Sequence, residues 1–165
     1  MIPSPKDIAV AQLIAEAEIG ETQRILGGAG IEVLVLKGPH LANTIYEEES
    51  DRTYGDLDLL VRPRDHDRAV VLLDAAGYRH VEHGEQRRHT AEVAYNVPFR
   101  TPRGMLLELH RHFSQFDRFP LDTERLFAEA QEFSIGQVRA RGLKPEHLLA
   151  HLIIHILKSY FIVER

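Results

Sequence analysis

Two aspartates, Asp56 and Asp58, stand two positions apart in the segment YGDLDLLV. Residues two apart in a β-strand point to the same face, so these carboxylates would project together. Adjacent carboxylates repel each other unless a positive charge lies between them. Mg²⁺ commonly supplies that charge, because it prefers oxygen ligands and is held by one or two carboxylates together with substrate phosphates. The pair therefore predicts a divalent-metal site for moving a nucleotide or phosphoryl group.

An Asp-x-Asp pair by itself is more often solvated charge at the surface, but two other features favour a site. Lys37-Gly38 follows an apolar strand pattern and precedes Pro39, which suits the first position of a helix. A lysine beside the free N–H groups of a helix start is an anion site. Glu108 interrupts the apolar segment MLLELH, where a carboxylate is costly to bury alone. A metal shared with the aspartate pair would give Glu108 a partner.

Other side chains could contact a substrate at this place. His110 would share the strand face of Glu108, and it could touch the substrate, act as a base, or form a hydrogen bond beside the acid. Tyr54 precedes the aspartate pair and could stack on a nucleobase, although a core or rim position is as consistent with its type. The run Arg87-Arg88-His89 could grip an acceptor or form a solvated loop. His147, His151 and His155 are spaced by four, a helical stripe that could bind Zn²⁺ or Ni²⁺ or line a cleft.

The elements that must position these residues follow from hydrophobic periodicity and from the placement of glycine and proline. We predict helices and strands in the order α-β-α-β-α-β-β-β-β-α, which indicates a mixed sheet with helices packed on it. The predicted helices are Asp7–Leu26, Pro39–Tyr46, Asp65–Ala76 and Pro145–Tyr160, and the predicted strands are Ile31–Leu36, Asp56–Val61, Tyr78–Glu82, Glu92–Phe99, Met105–His110 and Ile135–Ala140.

Composition narrows the classes of function. The chain of 165 residues is 44% hydrophobic and 27% charged, as in an ordinary soluble globular protein. It has no cysteine, which excludes disulfides and cysteine zinc sites and fits the cytoplasm that we expect as its location. A net charge of −5, with acids interleaved among the basic residues, makes long nucleic acid an unlikely partner. The longest apolar run, Leu148–Val163, is too short and too polar to span a membrane.

Together these motifs resemble the DNA polymerase β-like nucleotidyltransferase superfamily. The segments that carry the resemblance are VLKGPHLANTIY, the R-x-x-x-D-x-D of Arg52 to Asp58, LLVRPRDHDRAVVLLDAAGYR and LLELH. The nearest branch is the bacterial NTP-transferase type 5 family, and the match spans roughly residues 31–110, with a weaker match at LKPEHLL. It implies an α+β fold, a small mixed β-sheet with flanking helices and a C-terminal helix. Residues 1–142 would be the nucleotidyltransferase core, and residues 143–165 the start of a truncated C-terminal helical region.

The resemblance also implies roles for individual residues. This branch has Lys37-Gly38 where the superfamily usually has Gly-Ser, so the lysine would bring a charge to the phosphates in place of a hydroxyl. Two-metal transfer of this kind depends on positioning and electrostatics. The catalytic and metal-binding residues would be Asp56, Asp58 and Glu108, with Mg²⁺ or Mn²⁺; the nucleotide-binding residues would be Lys37, Gly38 and Arg52; His110 and Tyr54 are the possible substrate contacts.

Three functions remain open at this level. The first is a Mg²⁺-dependent enzyme that transfers a nucleoside monophosphate from a nucleoside triphosphate to a hydroxyl of an unidentified small molecule or protein. The second is a catalytically silent module that keeps the fold as an antitoxin-like or biosynthetic-cluster partner. The third is a phosphate-ester hydrolase with the same metal site, which ranks last because the Lys-Gly turn favours a triphosphate.

Overall fold

A mixed β-sheet of seven strands forms the centre of the computed structural model, which describes residues 5–48, 51–81, 95–113 and 122–160. The helices are α1 (Pro5–Gly28), α2 (Pro39–Thr44), α3 (His66–Ala75), α4 (Thr123–Ala128) and α5 (Pro145–Tyr160). The strands are β1 (Leu34–Val35), β2 (Asp56–Leu60), β3 (Arg79–His80), β4 (Asn96–Arg100), β5 (Leu106–His110), β6 (Gln131–Ile135) and β7 (Val138–Gly142). The predicted α+β class, with a mixed sheet and flanking helices, is confirmed.

The strand order is β3-β4-β5-β2-β1-β7-β6. At its centre β2 pairs in parallel with β5 and antiparallel with β1, and β1 runs parallel to β7. The outer pairs β3–β4, β4–β5 and β6–β7 are antiparallel. The acidic motif of β2 therefore lies in the middle of the sheet, with strands on both sides, and not at a solvated edge.

One face of the sheet packs into an apolar core. Leu57 and Leu59 of β2 and Leu107 and Leu109 of β5 are buried there. The period of two along each strand places them on one side. The helices α1 and α3 cover this face with apolar side chains that include Ala15, Ile19, Leu26, Ala69 and Leu73.

The opposite face is partly apolar and partly polar. Asp58 alternates with Leu57 and Leu59, and Glu108 with Leu107 and Leu109, so both acids point away from the first core. Beside them a second apolar cluster forms from the sheet, from Leu41 of α2, and from α4 and α5; its other members are Leu34, Leu36, Leu60, Phe113, Leu126, Phe127, Leu143, Leu148 and Ile154. Asp58 and Glu108 thus lie beside an apolar cluster to which α5 contributes.

The prediction of a single strand over Ile135–Ala140 is wrong. The chain forms a hairpin of β6 and β7, which turns at Gly136 with φ 53°. Only glycine fits this turn easily, because of its positive φ and because a Cβ there would collide with the carboxylate of Glu16. The short helix α4 was not predicted, since six residues carry too little periodicity to show it.

The remaining differences concern element ends. Strand β1 is shorter than predicted, and α1 runs on to Gly28. Part of the strand predicted over Glu92–Phe99, the end of the one predicted over Tyr78–Glu82, and Arg87-Arg88-His89 lie outside the described residues. Among the described helices, none combines the length and apolarity that a membrane span needs.

Candidate active site

The acidic residues of β2 and β5 are brought together by strand pairing. In the parallel register Asp58 lies directly beside Glu108, and Asp56 lies beside Leu106. Because Asp56 and Asp58 are two apart in one strand, they share the face that carries Glu108. The proximity that the sequence could only suggest for Glu108 is therefore built into the register of the two central strands.

Asp58 is the most deeply buried of these acids, with 1% of its surface exposed. The ammonium of Lys37 lies 3.0 Å from Oδ2, and Nε2 of His110 donates a hydrogen bond of 3.1 Å to Oδ1. Burial opposes ionisation, but the bond from His110 and the positive charges of His110 and Lys37 outweigh it and lower the pKa of Asp58 to about 2. Asp58 is thus a carboxylate at neutral pH, with both oxygens paired.

Glu108 is half-buried and shares the same histidine. Its Oε2 accepts a hydrogen bond of 2.7 Å from Nδ2 of Asn96 and lies 3.4 Å from Nε2 of His110. The bond from His110 lowers the pKa of Glu108 against the effect of burial. Glu108 is therefore ionised as well, and its second oxygen is a possible metal ligand.

His110 sits between the two acids and is itself buried. Burial opposes its positive charge, but hydrogen bonds to Asp58 and Glu108 outweigh burial and raise the pKa of His110. Its other ring nitrogen, Nδ1, has no hydrogen-bond partner among the described residues, and the ring of Tyr95 lies 5.8 Å away. Of the roles predicted for His110, the structure shows the hydrogen bond beside the acid.

Asp56 occupies the more open end of the group. Burial and then the negative charge of Asp58 raise the pKa of Asp56, while the charge of Lys37 opposes that rise. The two aspartates of the motif therefore differ: Asp58 is paired and strongly acidic, whereas Asp56 lies near like charges that a further cation would offset.

The Lys37-Gly38 turn passes directly over the start of β2. Gly38 has φ 51°, and a Cβ at this position would lie 3.4 Å from the carbonyl oxygen of Asp56 and 3.4 Å from Cβ of Tyr54. The positive φ favours glycine, and the distances show how closely the turn approaches β2. The turn thereby delivers the Lys37 side chain to Asp58, where sequence reasoning had expected it to meet phosphate.

These side chains form a group that could hold a metal ion. Asp58, Glu108 and His110 each offer one ligand atom, and the three atoms lie within 4.8 Å of one another. Carboxylate oxygens are the ligands that Mg²⁺ and Mn²⁺ prefer, and imidazole suits transition metals.

The family model that matches this chain is described as "Uncharacterised nucleotidyltransferase", and it covers residues 4–163. The chain belongs to this nucleotidyltransferase family. The resemblance found in the motifs is thereby confirmed, and it extends from Ile31–His110 to nearly the whole chain. None of the curated proteins matches the chain.

Two solved structures share the fold of this chain. The solution structure of the antibiotic-resistance factor ANT(2'')-Ia is similar with a TM-score of 0.62 and 12% identity, over 93% of this chain and 77% of that chain. The crystal structure of the lincosamide antibiotic adenylyltransferase LnuA with lincomycin bound is similar with a TM-score of 0.55 and 12% identity, over 87% of this chain and 96% of that chain. At this identity the likeness concerns the fold.

Arg52 and Tyr54 lie to one side of the acidic group. They line a cavity of about 80 Å³ together with Asp7, Ile8, Ala11, Gln12 and Thr53. Nε of Arg52 is buried and has no hydrogen-bond partner among the described residues. Tyr54 also packs against the first core. The nucleotide-binding role of Arg52 and the substrate contact of Tyr54 stay predictions, because the structure places both residues against α1.

The three histidines of α5 do not act as one stripe. His147 lies 3.5 Å from a carboxylate oxygen of Glu129, His151 is buried, and His155 is exposed. Among the described residues, the group of possible metal ligands is Asp58, Glu108 and His110. The structure therefore offers no support for a Zn²⁺ or Ni²⁺ stripe on α5.

Sequence reasoning missed Asn96, which holds Glu108. Asn96 pairs with His110 in the register of β4 and β5, and this places its amide on the site face of the sheet. A lone asparagine in a strand gives no local signal for such a role, since the contact depends on how two strands separated by a turn are aligned.

Proposed function

We propose that this protein is a divalent-metal-dependent enzyme that transfers a nucleoside monophosphate from a nucleoside triphosphate to a hydroxyl group of a small molecule. The observation that carries the proposal is the buried, ionised Asp58 beside Glu108, with Lys37 in contact. Membership of a nucleotidyltransferase family supports the reaction type. The pKa of Asp56, raised by burial and then by the negative charge of Asp58, supports a cation at the same place.

The donor set fits Mg²⁺ or Mn²⁺. Asp56, Asp58 and Glu108 would hold the ions through oxygen, the ligand atom that both prefer. When bound, the ions supply stabilisation of the charge that develops on the transferring phosphoryl group and on the leaving pyrophosphate. The lowered pKa values of Asp58 and Glu108 keep both residues ionised and ready as ligands at neutral pH.

Lys37 would exchange its partner when substrate arrives. Its ammonium is 3.0 Å from Asp58, and a lysine side chain is long and flexible enough to turn from a carboxylate to a nearby phosphate. The turn at Gly38 brings the backbone close to the start of β2, where a triphosphate would lie. Arg52 would add positive charge from the side of α1. These residues bind and orient the triphosphate, which is the main task of a protein in phosphoryl transfer.

The acceptor is a small molecule with a hydroxyl group in this proposal. A net charge of −5 disfavours long nucleic acid. One structure of the same fold is a lincosamide adenylyltransferase with lincomycin bound, which makes lincomycin a reasonable first acceptor to test.

Calorimetric titration of the folded protein with ATP, CTP, GTP and UTP, each with Mg²⁺, tests the donor. We expect at least one of them to bind, and binding should disappear when EDTA removes the metal. Transfer of the labelled α-phosphoryl group to lincomycin and to other hydroxyl compounds then tests the reaction. A folded sample that binds none of the four triphosphates would overturn the proposal.

A second candidate, the catalytically silent module, is favoured by one observation. Both oxygens of Asp58 already have cationic partners, Lys37 for one and His110 for the other, so the charge of Asp58 is neutralised by the chain itself. A module of this kind would bind neither Mn²⁺ nor a triphosphate at millimolar concentration. The titrations above therefore separate the enzyme from the silent module.

A further inference from the structure

The helix α5 covers the site face of the sheet with one stripe of its surface. Leu148 and Ile154, three positions before and after His151, are buried in the second apolar cluster together with Leu36 and Leu60. Leu36 donates its backbone N–H to the carbonyl oxygen of Asp58, and Leu60 follows Asp58 on the same face. Spacings of three place the three helix residues on one side. His151 is therefore directed at the region where the acids lie.

The ring of His151 is buried without hydrogen bonds. The residue is 3% exposed, and neither ring nitrogen has a hydrogen-bond partner among the described residues. The ring packs against that of Phe113, at 4.4 Å between centroids. Folded proteins pair nearly all of their buried polar atoms, because an unpaired donor or acceptor lowers stability. A side chain that carries two such atoms is better explained by a ligand than by the stability of the free protein.

The position of His151 fits a ligand of the same site. Phe113, against which the His151 ring packs, lies three residues after His110, the last residue of β5. Burial and then the positive charge of His110 lower the pKa of His151 to about 3, and the charges of Asp58 and Lys37 also reach it. The ring is therefore neutral, with one nitrogen that donates and one that accepts. A hydroxyl group, which both donates and accepts, is the simplest complement to such a ring.

We propose that His151 binds the hydroxyl group of the acceptor substrate and holds it beside Asp58 and Glu108. This inference rests on the proposed nucleotidyl transfer and adds a residue that contacts the acceptor. The apolar surroundings of the ring, with Phe113, Leu148 and Ile154, suit an acceptor with an apolar body around the reactive hydroxyl.

The first test needs no acceptor. His151→Phe keeps an aromatic ring against Phe113 and removes both unpaired nitrogens, so the free variant should melt about 3 °C above wild type. His151→Leu, which is smaller, guards against overpacking by phenylalanine. A purely structural histidine gives the opposite result, and a melting temperature lowered in both variants would overturn the inference.

The second test measures binding. Calorimetry with Mg²⁺ and α,β-methylene-ATP should give the same affinity, within about twofold, for wild type and His151→Phe, because the ring faces the acceptor side. With lincomycin as acceptor, the variant should lose at least about 10-fold in kcat/KM, mainly through KM. His147→Gln is the matched control one turn away: His147 lies near Glu129, and its replacement should leave both values unchanged.

The outcomes keep the two proposals apart. Failure of wild type and every variant to bind any triphosphate would contradict the proposed function, whereas the melting temperatures concern His151 alone. Equal acceptor KM values for wild type and His151→Phe, with nucleotide affinity intact, would overturn the role of His151 and leave the nucleotidyltransferase standing.

Discussion

On the side of the sheet covered by α1, two carboxylates accept hydrogen bonds from backbone N–H groups of hairpin turns, whereas on the side covered by α5 Asp58 pairs with two cationic side chains. Glu18, which is fully buried, accepts a bond of 3.0 Å from the N–H of Arg103 in the β4–β5 turn. The guanidinium of Arg103 also lies 3.6 Å from Glu18. Glu16 accepts one of 2.7 Å from the N–H of Gln137 in the β6–β7 turn. Asp58, in contrast, pairs with Lys37 and His110.

The difference concerns how firmly each carboxylate is held by its partners. A backbone N–H is held by the fold and cannot leave, so the glutamates of α1 fasten two hairpin turns. Ammonium and imidazolium groups on side chains can move away or lose a proton, so their carboxylate partners can exchange them for a metal ion or a substrate. A backbone N–H among its partners therefore ties Glu18 to the fold, whereas the side-chain partners of Asp58 can be exchanged.

The largest expected effect comes from neutralising one acid on each side of the sheet. Asp58→Asn should lower kcat/KM by more than about 100-fold, because even residues behind a metal ligand change activity by about 10- to 100-fold. Glu18→Gln should leave kcat/KM of the folded enzyme unchanged and lower the melting temperature, because it weakens the contact to the Arg103 N–H. Steady-state kinetics and thermal melting measure the two effects. Equal kcat/KM values for Asp58→Asn and wild type would contradict the different roles proposed for Asp58 and Glu18.

Substitutions in the apolar core on the α1 side of the sheet should change the stability of the protein and leave its activity unchanged. Leu59 is almost fully buried between the sheet and the helices, so Leu59→Ala should lower the free energy of unfolding by about 2–5 kcal/mol. Urea unfolding followed by circular dichroism measures the loss. Leu149→Ala, at a site that is 59% exposed on α5, is the control and should change stability by less than about 0.5 kcal/mol. A small effect at Leu59 would show that this face is not a packed core.

On the face covered by α5, removal of the Lys37 ammonium should change the affinities for metal and nucleotide in opposite directions. Lys37→Met frees Oδ2 of Asp58, so Mn²⁺ alone should bind about 10-fold more tightly, while Mg²⁺ with ATP binds about 10-fold more weakly. Calorimetry with each ligand gives both constants. Lys144→Met, whose lysine pairs with Glu129 away from the site, should change neither value. Weaker binding of Mn²⁺ alone to Lys37→Met would show that Lys37 supports the metal and does not compete with it.

The smallest expected effect concerns pH. Since the pKa of His110 is raised in the folded protein, its contribution to stability is complete below the unfolded value of about 6.5 and is lost as pH rises through the folded value. The lowered pKa values of His40, His66 and His151 act in the opposite sense.

The difference in the free energy of unfolding between wild type and His110→Asn therefore isolates the contribution of His110. In metal-free buffer with chelator, the stability advantage of wild type should decline from pH 6 to pH 9. Urea unfolding at several pH values measures it, and a constant difference across this range would contradict the raised pKa of His110.

Local signals account for most of the fold. The apolar pattern of β2, the Lys37-Gly38 turn and the long helices α1 and α5 could be predicted from periodicity, glycine and proline. The hairpin of β6 and β7 was not predicted, because the single glycine between Ile135 and Gln137 gives a weak turn signal. The turn needs glycine because of its positive φ, and it is held by Glu16, which is distant in sequence and accepts a hydrogen bond from Gln137 only when α1 packs on the turn.

The sequence by itself determined that Asp56 and Asp58 share a strand face opposite Leu57 and Leu59, because side chains alternate along every strand. It also determined that Glu108 needs a partner, because a carboxylate in an apolar strand cannot remain alone. Only the tertiary structure decided which groups meet these acids. The order of strands places β2 between β1 and β5, and this order brings Lys37 and His110 to Asp58. Such contacts depend on distances between segments far apart in the chain, and no local pattern encodes them.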